Sequence, residues 1–146
     1  MLVFLLSTLW CVGGYSQTWE KVTDATVLND GDEITFVNET NGVALGKQAK
    51  NNFGKVDITI SNGKFESVAD LSTLKLVKAD GLWSFMLGDK YLYAAGGTKN
   101  NYLKTRSDNS DKDSKAQITI NKGNATVKFL GNASRNLIRY NSKSNL

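Results

Sequence analysis

Leu82-Trp83-Ser84-Phe85-Met86-Leu87-Gly88-Asp89-Lys90-Tyr91-Leu92-Tyr93-Ala94 holds two short runs in which large apolar residues recur every second position, divided by Gly88-Asp89. Side chains along a strand point alternately to opposite faces, so this period describes a half-buried strand and not a helix. Glycine beside aspartate supplies a tight turn between the runs. The stretch therefore reads as an antiparallel hairpin.

Working outward, the same reading extends to Glu33 to Val37, Val43 to Gly46, Lys55 to Ile60, Leu74 to Lys78, Tyr102 to Thr105, Ala116 to Ile120, Ala125 to Leu130 and Asn136 to Tyr140. No segment carries a helical period. The connectors are turn chemistry: Asn29-Asp30-Gly31-Asp32, Asn41-Gly42, Asn62-Gly63 and Lys122-Gly123-Asn124. Asn-Gly is the strongest of these signals, because both residues tolerate the positive φ of a type I′ turn. The fold class is antiparallel all-β.

Three segments share one layout, an aromatic-centred strand, a polar turn and a short strand with a leucine. They are Ile34-Thr35-Phe36 with Val43-Ala44-Leu45-Gly46, Trp83-Ser84-Phe85 with Tyr91-Leu92-Tyr93-Ala94, and Val127-Lys128-Phe129 with Leu137-Ile138-Arg139-Tyr140. The phenylalanines lie 49 and 44 residues apart and the leucines 47 and 45. A threefold repeat near 45 residues predicts a β-trefoil-like closed barrel of short strands, in which Phe36, Phe85 and Phe129 share a core. The third repeat is incomplete, with two of its four strands before Leu146.

The 146 residues suit one domain, taken as 17–146, large enough to bury a core without metals or disulfides. Lys and Arg number 18 against 14 Asp and Glu, a net charge of +4 scattered through the turns. A nucleic-acid footprint would gather the cations on one face. Leu2 to Gly14 is free of charge and rich in Leu, Val and Phe, and Gly14-Tyr15-Ser16 follows as a small-x-small site. About a dozen apolar residues fall short of the roughly 20 needed to span a bilayer. Residues 1–16 accordingly read as a signal peptide, placing the protein outside the cell, in a periplasm or at the cell surface. Trp10 before Cys11 is too large for a lipoprotein signal, and cleavage after Ser16 leaves a chain without cysteine.

Asp30-Gly31-Asp32-Glu33-Ile34, Lys90 to Ala95 with Asn101 to Thr105, and Arg135 to Asn141 resemble a β-module of secreted Bacteroidales proteins. The likeness covers most of Trp19 to Asn141. It implies a C-terminal accessory domain attached to secreted nucleases and other exported proteins, with no catalytic residues of its own. In that group an aromatic closing segment follows the Tyr-Asn pair. This chain stops before one, so the resemblance implies a truncated or divergent end.

The chain has no histidine. Together with the loss of Cys11 this excludes Ser-His-Asp and Cys-His nucleophilic sites and ordinary zinc clusters. Asp30, Asp32 and Glu33, and the loop holding Asp108, Asp111 and Asp113, sit among turn residues where solvated turn formation is the competing account. The second loop also lacks the glycine and glutamate of an EF-hand. No catalytic residue, metal site or cofactor is expected.

The best candidate ligand surface is Tyr91 to Arg106, with Tyr93, Asn100, Asn101, Tyr102 and Lys104 as its contacts. Tyrosine rings stack on sugars or bases, while Asn and Lys supply hydrogen bonds and charge. The competing reading puts Tyr91 or Tyr93 in the core, since they share a face. Trp19 and Trp83 are expected in the core or closing the bottom of the barrel. Arg135, Arg139 and Lys128 suit phosphate or a solvated face equally. The expected function is a non-catalytic, carbohydrate-binding module whose partner is a glycan or a parent enzyme's substrate. The alternative is a protein- or nucleic-acid-contacting appendage of a secreted enzyme such as a nuclease.

Overall fold

Asp80 and Gly81 sit at φ of 54° and 74°, Lys122 and Gly123 at 49° and 77°, and Asn62 and Gly63 at 51° and 73°. Each pair meets the positive-φ requirement of a tight hairpin turn. Asn41-Gly42 departs from expectation. There Glu39–Asn41 form a single 3-10 turn, capped by the Asn38 side chain on the Asn41 N–H, and only Gly42 is left-handed.

The computed structural model describes residues 1–6, 16–95 and 97–143. Their strands are β1 Leu2–Leu6, β2 Thr18–Lys21, β3 Glu33–Asn38, β4 Val43–Gln48, β5 Phe53–Asp57, β6 Lys64–Glu66, β7 Leu74–Ala79, β8 Leu82–Leu87, β9 Lys90–Ala95, β10 Tyr102–Arg106, β11 Ala116–Asn121 and β12 Asn124–Phe129. All pair antiparallel. The path runs β10-β9-β8-β7-β3-β1-β2-β6, with β4-β5 branching from β3 and β11-β12 from β8. Among the described residues the sheet does not close into a barrel. Three short 3-10 turns complete the secondary structure. No described helix is long and apolar enough to cross a membrane.

Three strand pairs repeat one register. Val3 stands opposite Phe36, Leu76 opposite Phe85, and Ala116 opposite Phe129. The Phe36 and Phe85 rings meet edge to face at 5.2 Å, and Phe85 and Phe129 at 6.0 Å. The three phenylalanines thus share one core, as the repeat predicts, together with Leu92 and Trp83. A second cluster gathers Phe4, Trp19, Val37, Ala44, Ile58 and Phe65, with Trp19 stacked on Phe65 and its Nε1–H donating to Ser67 Oγ at 2.7 Å. Strands β1 and β3 feed both clusters, so each is buried on both faces.

Leu2–Leu6 belongs to the stretch that the sequence reads as a leader. In the fold it lies between β3 and β2, with Phe4 opposite Thr35 on one side and Lys21 on the other. Cys11, Gly14 and Tyr15 of the leader reading lie outside the described residues. Thr18–Lys21 and Lys64–Glu66 are strands that the alternation did not reveal, being only four and three residues long.

Asn136 to Tyr140 does not form the expected strand. It lies along β12 with a single bridge, Lys128 to Leu137. Its hold is local: the Phe129 N–H donates to Asn136 O at 2.8 Å, Asn136 Nδ2 to Phe129 O at 2.9 Å, and the Ile138 N–H to Val127 O at 3.1 Å. A ladder needs continued pairing, and these bonds stop after two residues of β12.

Candidate functional site

The β9-β10 hairpin carries the predicted contacts, and its register assigns their faces. Lys104 lies opposite Tyr93, Tyr102 opposite Ala95, and Arg106 opposite Tyr91. Tyr91, Tyr93, Tyr102, Lys104 and Arg106 therefore share one face, while Leu92 and Ala94 are buried on the other. Neither tyrosine enters the core. Small and aliphatic residues fill the inward positions, leaving both rings half-buried outside.

The face is not one site. Arg106 stacks on Tyr93 at 4.6 Å, pairs closely with Asp113, and reaches Asp111 at 3.3 Å. Tyr93 is thus covered by a cation already held by two carboxylates. Lys104 Nζ lies 5.7 Å over the Tyr102 ring. Asn100 is exposed and is not among the residues that line the cavity beside Tyr102. Asn101 and Tyr102 do line one, a cavity of about 430 Å³.

The cavity is built by the β3-β4 corner, the start of β5, the start of β10 and residues 134–141 beside β12, with Met1, Ala94 and Phe129 completing the lining. Two side-chain bonds latch the β4-β5 hairpin to β10. Asn52 Oδ1 accepts the Leu103 N–H at 2.9 Å, and the Thr105 hydroxyl donates to Gln48 Oε1 at 2.6 Å. Gly46 permits the close crossing behind, since a Cβ there would lie 3.0 Å from Gly54 and Lys55 carbonyl carbons. Thr35 and Ser72 brace the same corner. Thr35 Oγ1 donates to Ser72 O at 2.9 Å and Ser72 Oγ to Gly46 O at 2.7 Å, both buried.

The floor is apolar, from Phe36, Val37, Phe53, Leu103 and Phe129. The polar lining includes Asn101, Asn141, Tyr102, Tyr140, Arg135 and Arg139, joined by Lys55. Among the described residues no carboxylate side chain lines the cavity. Lys55 is bonded to Asp57 at 2.8 Å, and that hydrogen bond raises the ammonium pKa above its ordinary value. Among the described residues neither Arg135 nor Arg139 forms an ion pair.

Sequence reasoning named Arg135 and Arg139 only as possible phosphate contacts and missed that they share a cavity with Tyr102, as it missed Asn52, Phe53, Lys55 and Tyr140 altogether. One signal did exist: of the recurring leucines only Leu92 is fully buried, while Leu45 and Leu137 line the cavity.

The acidic loops have other employment. The hydroxyl and backbone N–H of Ser110 donate to Asp108 and lower its carboxyl pKa, while Asp111 and Asp113 hold Arg106. Among the described residues no three metal-ligating side chains converge.

Fold and site together define an all-β module with an amphipathic cavity edged by tyrosine, asparagine and arginine. No protein-family model, curated protein or solved structure matches the chain.

Proposed function

We propose that this chain is an exported, non-catalytic binding module that takes carbohydrate in the cavity beside Tyr102. The observation that carries the reading is the pairing of an apolar floor with a rim of Tyr102, Tyr140, Asn101 and Asn141 in about 430 Å³. Small-ligand pockets span roughly 300–1,000 Å³ and combine apolar walls with a few directed polar groups. A sugar offers both halves of that chemistry, an apolar ring face for stacking and hydroxyls for amide side chains. The absence of histidine from the whole sequence supports a binding role over hydrolysis.

The equivalent registers of β1-β3, β7-β8 and β11-β12 support a β-trefoil-like plan with three units around Phe36, Phe85 and Phe129. Export rests on the uncharged run Leu2 to Gly14 and the small-x-small site after it. The resemblance to accessory modules of secreted Bacteroidales enzymes fits a role beside a catalytic partner.

A glycan array with the full chain tests the reading. Binding to one or more oligosaccharides, lost on Tyr102→Ala, is the expected result. A silent array beside a positive DNA titration would replace the carbohydrate with nucleic acid.

A further inference from the structure

We infer that the ligand of this cavity is an acidic sugar, one bearing a carboxylate or a sulfate. The inference rests on the carbohydrate reading and adds the ligand's charge.

Three cationic side chains line the cavity, Lys55, Arg135 and Arg139, and among the described residues no carboxylate side chain does. Lys55 is partly neutralised by Asp57, 2.8 Å away. The two arginines are different, for they lie on the rim and form no ion pair among the described residues. Elsewhere Arg106 is held by both Asp111 and Asp113. Among the described residues the cavity lining therefore carries positive charge that no ion pair offsets at Arg135 or Arg139.

Their placement matters as much as their number. Arg135 and Arg139 flank Asn136, which is tied to Phe129 by two hydrogen bonds, and Ile138, whose N–H donates to Val127 O. The backbone between the two arginines is thus fixed against β12. A guanidinium presents a planar fork of donors that matches a carboxylate or sulfate in a bidentate pair. Asn101 adds an amide to the same lining. A nucleic acid would need cations along a stripe to follow its phosphates, whereas these cations ring a single apolar-floored hollow.

The test uses the full chain and a panel of oligosaccharides bearing uronate, bearing sulfate, or neutral, with single-stranded DNA alongside. Titration calorimetry on the array's binders should give affinities at least tenfold tighter for acidic than for neutral members. Arg135→Gln and Arg139→Gln should each weaken acidic binding about tenfold, and weaken neutral binding by much less, with the thermal midpoint unchanged. Raising NaCl from 50 to 500 mM should weaken only the acidic members, since exposed pairs are screened. Uronate and sulfate arms separate the two sources of charge. Equal binding of neutral members, with both arginine variants silent, would overturn the charge inference and leave the carbohydrate reading standing. Silence across the sugars would overturn both, and so would DNA binding with the same arginine dependence.

Discussion

Val3 stands opposite Phe36 in the sheet at the position that Leu76 holds against Phe85 and Ala116 against Phe129. An N-terminal residue thereby completes the third of three equivalent pairs, and both Val3 and Phe4 are fully buried. If residues 1–16 are removed on export, the slot between β3 and β2 loses its occupant, leaving the facing backbone of both strands unpaired.

This relationship predicts a stability difference. A chain produced without export, retaining residues 1–16, should be more stable than one beginning at Gln17. Burying Val3 and Phe4 is worth about 1.5–3 kcal/mol each, so the gap should reach about 3 kcal/mol or more. Urea unfolding of the two chains measures it. Equal midpoints would mean that β1 adds nothing to the folded domain.

Phe85 is the middle ring of the phenylalanine trio and touches both others. Phe85→Ala removes two ring contacts and opens a cavity, with an expected loss of about 3–5 kcal/mol. Chemical denaturation should rank it above Leu82→Ala, whose side chain is only half-buried. A loss below 1 kcal/mol would contradict a shared core.

Ser84 lies between Trp83 and Phe85 and is buried, yet its hydroxyl has no hydrogen-bond partner among the described residues. An unsatisfied buried hydroxyl costs about 1–3 kcal/mol. Ser84→Ala should therefore raise the thermal midpoint, a change that differential scanning fluorimetry resolves. A clear drop would mean that the hydroxyl does have a partner.

Gly131 packs against the backbone of Asp113, where an added Cβ would lie 2.6 Å from Cα and 2.9 Å from N. Gly131→Ala must push this loop away from the Arg106 ion pairs, at an expected cost of about 1–3 kcal/mol. Gly81→Ala is an instructive contrast. No atom lies within 4 Å of its added Cβ, so only the strain of a φ of 74° opposes it. Comparing their unfolding midpoints separates crowding from backbone strain.

The sequence by itself determined the strands that alternate over five or six residues and the turns that join them. Period-two patterning and glycine at positive φ act between neighbours, so β7 to β9, β11 and β12 were legible within a residue or two, as were Asn62-Gly63 and the Phe36, Phe85 and Phe129 equivalence. Of the site, Asn101 and Tyr102 were legible as ligand contacts, and Arg135 and Arg139 only as cations suited to phosphate or solvent. Tertiary structure decided the rest, because the cavity is assembled from residues as far apart as Met1 and Asn141, and no local pattern records that Phe53, Lys55 and Arg139 share a cavity with Tyr102. It also decided that Arg106 covers Tyr93, since an ion pair to Asp113 depends on where two loops meet. Alternation says which face a side chain takes; only packing says what that face meets.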